Sequence, residues 1–474
     1  MGYLLLLAIF VPVVGAFLLP LVSRVSERLR NALALVFVLV SLVCSAVLLK
    51  SAVTNQGVKI QESLPLGMNF GFMADSLAVF MAMISSFIGA IIVFYSFTYI
   101  SHYPHQDEYY LMVTLFIGAM MGLVYSTNLI FMFVFWEISA ICCWRLIGFF
   151  REKEYIFRAD KAFLVTVFGA LVMLLGFLLI FTQTGTFDMT EMRGVHISNT
   201  AVLLILVGLF SKSATLPLQT WLPDAGVAPS PVTSLLHAAV LVKIGVYAFA
   251  RFFLVNFTVS DVWHTVVPVV AAASALVSAG AAIRETDLKR IIAASTVSQL
   301  GFIFLGLSTG SVFGAAGGLL YILMHGLAKG GLFLCAGIVE HNAGTKDIRK
   351  LGGLIKTMPV TAVSFLVCSF SIMGLPPFGG FFSKYMVING AVDAGEPWVA
   401  VVFVLGAILT IVYLLRVFTI VFMGEAKIEA REKSRSMVGS VAALAVLSLI
   451  AGIFIVYPTA FAQNIVSQME VALK

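Results

Sequence analysis

Four lysines and one glutamate lie deep inside hydrophobic stretches of the chain, where charged side chains are rare. They are Lys212, Lys243, Lys329, Lys384 and Glu137. A charge at the centre of a membrane helix costs roughly 2.5 to 3.5 kcal/mol, so such residues usually belong to a pathway or a binding site. Static ion pairs that fix helix packing are the alternative, but four cations and one acid cannot pair completely. Since burial disfavours the charged form of both residue types, the set is suited to proton exchange along a hydrated pathway.

Two histidines extend this set. His325 and Lys329 are four residues apart, which puts them on one helix face within hydrogen-bond or water-bridge reach. His237 shares a predicted helix with Lys243, but the spacing of six residues places the two on different faces. A packing role for His237 is therefore as good an interpretation as a place in the pathway.

Glu137 is the only acid well inside a hydrophobic stretch, so we expect it to pair with a buried lysine. The predicted partner is Lys212, in direct contact or through one water, because each residue alone leaves an uncompensated buried charge. Asp75 and Asp224 fall at the edges of hydrophobic stretches. Acids at such positions are typical of helix caps.

Proline interrupts two of the stretches that carry a lysine. Lys212 lies shortly before Pro217, and Lys384 follows the pair Pro376-Pro377. Proline removes a helix hydrogen bond, and the freed backbone is tolerated at membrane depth only where protein or water satisfies it. Broken helices in corresponding positions of two halves indicate a transport site.

The composition of the chain indicates the kind of fold that positions these residues. Hydrophobic residues make up 61% of 474 positions and charged residues 11%, far from the balance of soluble domains. We predict an all-α polytopic membrane protein of about fourteen transmembrane helices that form a single membrane domain over residues 1–474. The predicted spans are 2–22, 31–49, 72–98, 109–125, 128–150, 162–184, 198–216, 231–255, 262–283, 288–308, 312–339, 358–392, 398–422 and 437–462.

The two broken spans are the seventh and the twelfth. Because they are five spans apart, they cross the membrane in opposite directions. This spacing predicts two inverted five-helix repeats, spans 4 to 8 over residues 109–255 and spans 9 to 13 over residues 262–422.

Basic residues predict the orientation, because cytoplasmic loops collect Lys and Arg. They concentrate in the loops after spans 1, 5, 9, 11 and 13, so these loops should face the cytoplasm of a prokaryotic cell and both termini should lie on the other side of its inner membrane. The loop residues are Arg24, Arg28, Arg30, Arg151, Lys153, Arg158, Lys161, Arg284, Lys289, Arg290, Lys346, Arg349, Lys350, Lys356, Lys427, Arg431, Lys433 and Arg435. The opposite side has Lys50, Lys59, Arg193, Arg251 and Lys474. Arg145 and Arg416 are near span ends, from which they can snorkel to the interface.

Other function classes find little support in the sequence. The five cysteines lie in apolar segments without the spacing of zinc or iron-sulfur ligands, so we expect no metal and no cofactor. No nucleophile-base set, phosphate loop or quinone motif indicates a catalytic centre in this chain. Membrane topology explains the net charge of +6, so nucleic acid is not an expected partner.

Ordered motifs run along nearly the whole chain. They are Asn128-Leu129 with Phe135-Trp136-Glu137; Lys212 with Trp221-Leu222-Pro223-Asp224-Ala225; Pro229-Ser230-Pro231-Val232 with Ser234; Leu241-Val242-Lys243-Ile244-Gly245-Val246-Tyr247; Ser295-Thr296-Val297-Ser298-Gln299-Leu300-Gly301; His325 with Lys329; Asp347-Ile348-Arg349-Lys350-Leu351-Gly352-Gly353; and Gly379 through Lys384. Together they resemble the antiporter-like subunit family shared by respiratory complex I, Mrp-type Na⁺/H⁺ antiporters and membrane-bound energy-converting hydrogenases. The chain looks closest to the Mrp D-type or hydrogenase-type member, since it is short and has lysine at both 243 and 384.

The resemblance implies a proton-translocating subunit of a larger membrane complex, with a hydrophilic axis parallel to the bilayer. It implies that Glu137 sets the proton affinity of Lys212, and that Lys384 is the last relay before the exit. The lateral carriers between them would be Lys243, His325 and Lys329. Partners would be other membrane subunits and the lipid bilayer, and the transported ion H⁺, with or without coupled Na⁺.

Two other function classes stay open beside this one. A self-sufficient secondary transporter of a cation or small solute would have the same hydropathy profile. An integral-membrane enzyme is disfavoured, although the chain could belong to an oxidoreductase of the complex I or hydrogenase type as readily as to an Mrp antiporter. The sequence does not decide which complex it belongs to.

Overall fold

The structure, a computed structural model, describes residues 1–63 and 69–469. Long apolar helices dominate these residues, and the strands are few and short. In chain order the helices are α1 (Gly2–Ser23), α2 (Glu27–Val53), α3 (Ser76–Tyr99), α4 (Gln106–Tyr125), α5 (Leu129–Ile147), α6 (Lys153–Thr184), α7 (Asn199–Lys212), α8 (Trp221–Asp224), α9 (Ser230–Ser234), α10 (Leu241–Ala250), α11 (Trp263–Arg284), α12 (Leu288–Ser308), α13 (Val312–Ala343), α14 (Pro359–Met373), α15 (Gly379–Asp393), α16 (Pro397–Phe422), α17 (Arg435–Ile453) and α18 (Val456–Ser467).

The predicted multi-pass membrane architecture is confirmed. Within the described residues, twelve helical segments are long and apolar enough to cross a membrane. The predicted seventh and twelfth spans coincide with shorter apolar helices, α7 and α14. The exact number of fourteen therefore stays a prediction.

Two short strand pairs accompany the helices. Strands β1 (Val58–Ser63) and β2 (Asn69–Ala74) pair antiparallel, and β3 (Val195–His196) pairs parallel with β4 (Phe257–Thr258). The third span was predicted from residue 72, but the chain is still a strand there. The helix begins only after Asp75, whose side chain accepts a hydrogen bond from the Ala78 amide at 2.9 Å, as the prediction of a cap required.

The loops predicted to be basic lie together at one end of the helices, which we call the basic face (residues 23–30, 145–161, 284–290, 344–358 and 423–435). Ion pairs and hydrogen bonds connect them to one another and to the helix ends between them. These contacts are Arg30 with Asp107, Arg145 and Arg151 with Glu108, Lys161 and Arg290 with Asp224, Lys346 with Asp287, and Lys427 with the Arg349 carbonyl. The prediction that Asp224 caps a helix is wrong, since its carboxylate binds two cations instead.

The opposite face holds the strands and both ends of the described chain. Gly2 packs against Ile60, and the Gln468 side chain hydrogen-bonds the Ala52 carbonyl at 3.3 Å. Arg251, predicted as a loop residue of this side, is instead 4% exposed. Lys474 lies outside the described residues.

Both predicted helix breaks are present. Helix α7 ends at Lys212, and no regular helix resumes before Trp221; α14 ends at Met373 and α15 begins at Gly379. The freed backbone groups find protein partners. The indole of Trp221 donates to the Ser211 carbonyl at 2.9 Å, so the first break is satisfied within the fold.

The predicted eighth span is helical but irregular. Between α9 and α10, residues Leu235–Ala239 form a π-helical turn, and a second one covers Arg251–Asn256. The hydroxyl of Ser85 on α3 donates to the Ala239 carbonyl at 2.8 Å. Such turns change the angular spacing of side chains, so the faces of His237 and Lys243 cannot be read from residue number alone.

Candidate functional site

The buried lysines of the sequence analysis occupy the interior of the protein. Lys212, Lys243 and Lys329 are 0% exposed and Lys384 is 4% exposed. None of the four forms a salt bridge with an acid among the described residues. Four unpaired buried ammonium groups would be very costly, so this arrangement favours neutral or water-solvated amines.

Lys212, at the first break, reaches across to α5. Its Nζ donates to the Trp136 carbonyl at 3.1 Å and lies 5.3 Å from the centre of the Trp136 ring. It forms no direct salt bridge with Glu137, the next residue of α5, so the direct form of the predicted contact is wrong. A contact through one water stays a prediction.

Glu137 lies on a partly exposed side of α5. Val134 and Ile141, one turn away on either side, are 45% and 48% exposed. The Glu137 atom Oε1 is itself buried and has no hydrogen-bond partner within the described residues. A buried carboxylate oxygen of this kind needs a donor from water or from another chain.

Lys243 on α10 contacts helix α13. Its Nζ lies 2.9 Å from Nδ1 of His325 on α13. Helix α7 packs beside α10, where a Cβ on Gly245 would lie only 2.7 Å from the Leu209 carbonyl oxygen. The close packing brings the end of α7, with Lys212, next to the helix that carries Lys243.

His325 and Lys329, predicted to lie within hydrogen-bond or water-bridge reach, form no direct hydrogen bond with each other, and a water bridge between them stays a prediction. Lys329 turns to α12 instead, where its Nζ donates to the Ile292 carbonyl at 3.0 Å and to the Ser295 hydroxyl. His325 turns to Lys243, and its Nε2 has no partner among the described residues. The two side chains share a face of α13, as predicted, but each binds a different neighbouring helix.

Lys384 lies at the second break. Its Nζ donates at 2.7 Å to the Ile372 carbonyl, in the last turn of α14. The same atom lies 4.5 Å from the ring centre of Phe302 and 5.7 Å from that of Tyr321. Aromatic faces can hold the charged form, while the carbonyl accepts from either form.

A group of uncharged polar residues on α12, α13 and α16 adjoins Lys384, and of these only Gln299 stands in a motif quoted above. Tyr321 donates to Oε1 of Gln299 at 2.6 Å, and the Gln299 amide donates to Thr410 at 3.1 Å and Tyr413 at 3.3 Å. Tyr321 precedes His325 by one turn, and Gln299 follows Ser295 by one turn. This helical spacing is the signal that could have revealed them.

His237, in the π-helical turn before α10, is buried at 0% exposure. Its ring stacks on Phe333 of α13, with ring centroids 4.3 Å apart. Neither ring nitrogen has a hydrogen-bond partner among the described residues. Packing explains the position of the ring but leaves both nitrogens unused.

A further acid escaped the sequence analysis because the predicted span ended one residue before it. Glu340 lies in the last turn of α13 and forms a 2.7 Å salt bridge with Lys289. Lys289, predicted as a loop residue, is 1% exposed in the first turn of α12. Lys289 thus has an acid partner, whereas the four lysines of the interior have none among the described residues.

The fold and the site define a polytopic membrane protein with buried amines, imidazoles and hydroxyls between its helices. The family model described as "NADH:quinone oxidoreductase/Mrp antiporter, TM" matches residues 126–410, more than half of the chain. A model for the N-terminus of chain 5 of NADH-ubiquinone oxidoreductase (complex I) matches residues 62–110. The chain belongs to this antiporter-like family, as the motifs indicated.

Curated relatives include the A1 subunits of the Na⁺/H⁺ antiporter of Staphylococcus aureus strains JH9 and Newman. Each is 33% identical over 490 aligned positions, which cover 95% of this chain and 61% of the relative. The chain thus spans about three fifths of the length of these relatives. Their names place them as A-type members, and the placement of this chain nearest to the D-type or hydrogenase-type member stays a prediction.

Two solved structures share the fold. A chain of the Mrp complex from Dietzia sp. DQ12-45-1b superposes with a TM-score of 0.90 at 23% identity, covering 100% of both chains. A chain of the membrane-bound sulfane sulfur reductase, an archaeal respiratory membrane complex, gives a TM-score of 0.88 at 23% identity and covers 99% of this chain and 98% of that one.

Proposed function

We propose that this chain is a proton-translocating subunit of a multi-subunit membrane complex, in which buried Lys, His and Glu side chains and internal water carry protons. The observation that carries the proposal is the 2.9 Å contact between Lys243 and His325, two titratable groups on different helices. Relatives named Na⁺/H⁺ antiporter subunits support a complex in which Na⁺ moves in exchange.

The proposed relay begins at Glu137 and Lys212 and ends at Lys384. From Lys212 the line continues along the α7–α10 contact to Lys243 and His325. From His325 the relay divides into two branches. One leads directly to Tyr321, beside Lys384, and the other leads to Tyr321 through Lys329, Ser295 and Gln299. Amines that share internal water retain part of their hydration, so a line of them is less costly than the same residues isolated in hydrocarbon.

We further propose that residues 109–255 and 262–422 are inverted repeats. The helices of the two segments pack in the same order: α4 on α5, α5 on α6 and α6 on α7 in the first, α11 on α12, α12 on α13 and α13 on α14 and α15 in the second. A lysine adjoins the break in each. On this proposal the basic face is cytoplasmic, and both termini lie on the other side of a prokaryotic inner membrane.

The proposal is tested with Glu137→Ala and Lys212→Ala in membranes that contain the complete complex. Proton flux into vesicles should fall by about tenfold or more, while the abundance of the protein changes much less. Lys350→Ala is the matched control, because that lysine is exposed on the basic face. Equal losses of flux and abundance would instead assign the two residues a structural role. Solute transport by the purified chain alone would favour a self-sufficient transporter.

A further inference from the structure

The carboxylate of Glu340 joins the basic face to the protein interior. The side chain is 27% exposed, so water reaches it, whereas its partner Lys289 is 1% exposed. The Ser230 hydroxyl donates to the same Oε2 atom at 3.1 Å, and Lys289 also donates to the Ala228 carbonyl at 2.9 Å. The carboxylate is therefore held at the buried beginning of α9.

A polar stripe leads from this point into the protein. Ser230, Thr233 and Ser234 recur at intervals of three and four residues, which puts them on one side of α9. His237 lies in the π-helical turn that follows. All four are 0% exposed. The Thr233 hydroxyl donates to the Ser230 carbonyl at 2.9 Å, and the Ser234 hydroxyl donates to the Gly330 carbonyl of α13 at 3.3 Å. The stripe thus faces α13.

The facing side of α13 connects Glu340 to the relay. Lys329, Phe333 and Glu340 share this side over three helical turns, a distance of about 16 Å along the axis. The ring of Phe333 stacks on His237 with centroids 4.3 Å apart, one turn from Lys329. His237 therefore lies between the end of the hydroxyl stripe and a lysine of the relay.

The unbonded nitrogens of His237 indicate what this position does. The ring is fully buried, and both nitrogens lack a partner among the described residues. Buried polar atoms without a partner are destabilising, so such sites in native proteins hold water or serve a function.

We propose that Glu340 takes up protons from the basic face and that the hydroxyl stripe and His237 deliver them to Lys329. The Glu340 carboxylate accepts a proton from a hydronium ion at the basic face, which leaves water. Each hydroxyl and internal water then takes up one proton and releases one, and a nitrogen of His237 binds the last. The imidazolium then passes the proton to the neutral amine of Lys329 and returns to its neutral form. Each oxygen of the route thus ends with the number of protons it started with, and no further reactant is needed.

Other titratable groups adjoin the proposed uptake point. Lys289 pairs with the Glu340 carboxylate from the buried side, while the other side of the carboxylate stays open to water. The Tyr99 hydroxyl lies 3.4 Å from that of Ser230, and the His341 ring packs on the Tyr99 ring with centroids 5.5 Å apart. His102 stacks on His341 at 5.9 Å and is exposed, so these rings form the approach from solvent.

This inference rests on the proposed function, so the test includes variants of the uptake route and one variant of the relay itself, Lys243→Ala. Glu340→Gln keeps the shape of the side chain but removes the proton acceptor, and Glu340→Asp restores a carboxylate. His237→Phe keeps the stacking on Phe333 and removes both nitrogens. Asp347→Asn is the control, because Asp347 is an acid of the same face that pairs with the exposed Arg349. Proton flux is measured in vesicles with the complete complex and divided by the abundance of the chain.

We expect Glu340→Gln and His237→Phe each to lower the flux by about tenfold or more, Glu340→Asp to recover part of it, and Asp347→Asn to leave it unchanged. Normal flux in Glu340→Gln would overturn the uptake point, and normal flux in His237→Phe would overturn the route. Should Glu340→Gln reduce abundance, His237→Phe decides alone, since it leaves the Lys289 ion pair intact. Normal flux in Lys243→Ala would overturn the proposed function itself, whatever the first two variants do.

Discussion

Lys243 and His325 face each other at 2.9 Å between Nζ and Nδ1, from helices α10 and α13. An ammonium group and a protonated imidazole are both only donors, so they cannot form this contact together. One of the two nitrogens must accept, and the pair therefore holds one proton fewer than two separate cations would. A proton can cross between the helices here without a large movement of either side chain.

We expect His325→Asn to lower proton flux by about tenfold or more, because an amide can accept the hydrogen bond from Lys243 but cannot carry a proton at working pH. Flux in vesicles with the complete complex is the measurement. His264→Asn is the control, since that half-buried ring bonds the Ser308 carbonyl at 2.9 Å, away from the line. Wild-type flux in His325→Asn would show that the residue supplies only an acceptor.

Lys384→Ala and Lys384→Arg should both block translocation. Alanine removes the group, and arginine keeps the positive charge but does not release its proton at working pH. The contact of Lys212 with the Trp136 carbonyl should persist in both variants, which a structure of the variant complex would check. Normal flux with arginine at 384 would mean that this position supplies a fixed charge and that the relay ends elsewhere.

Gly380→Ala should disrupt the second break. A Cβ at this position would overlap the Ser371 carbonyl oxygen, a backbone atom that cannot rotate away. We expect a destabilisation of about 1 to 3 kcal/mol, the usual cost of overpacking, and a loss of flux because Lys384 is positioned by the same segment. Thermal unfolding of the purified complex measures the first effect. Gly439→Ala in α17 is the control, since nothing lies within 4 Å of a Cβ there; an equal loss in both variants would contradict the packing argument.

The Asp224 cluster on the basic face should make stability depend on pH. Partial burial alone would raise the pKa of Asp224, but the hydrogen bonds and charges of Lys161 and Arg290 outweigh it and lower the pKa below its ordinary value of 3.8. A lowered pKa in the folded state gives a stabilisation that is complete above the pKa of the unfolded state, about 3.9, and is lost as pH falls through the folded value.

Asp224→Asn should therefore reduce stability at neutral pH by up to about 1 kcal/mol, the range of partly exposed ion pairs. The difference from the wild type should shrink below about pH 4, where the wild-type carboxylate itself becomes protonated. Melting temperatures of both proteins between pH 7 and pH 3 test this. A difference that stays constant over that range would show that the charge of Asp224 does not stabilise the fold.

Hydropathy predicted the multi-pass architecture from the sequence alone, and the positions of proline predicted the helix breaks, because the bilayer imposes its rules on each segment separately. The breaks at Lys212 and before Lys384 could be predicted in the same way. The cost of a charge in hydrocarbon also identified the four lysines without knowledge of any contact. Such constraints act within one segment, and a sequence displays them directly.

Which side chains meet was decided only by the tertiary structure. Lys243 contacts His325, and Lys329 contacts Ser295, because helices distant in sequence pack side by side and the π-helical turn after Ser234 shifts the register of side chains. The hydroxyl and amide group at Gln299 and the Lys289–Glu340 pair depend on the same packing. Helical periodicity gives the face of one helix, but the partner of that face is set by the rotation and height of its neighbours, which no local pattern encodes.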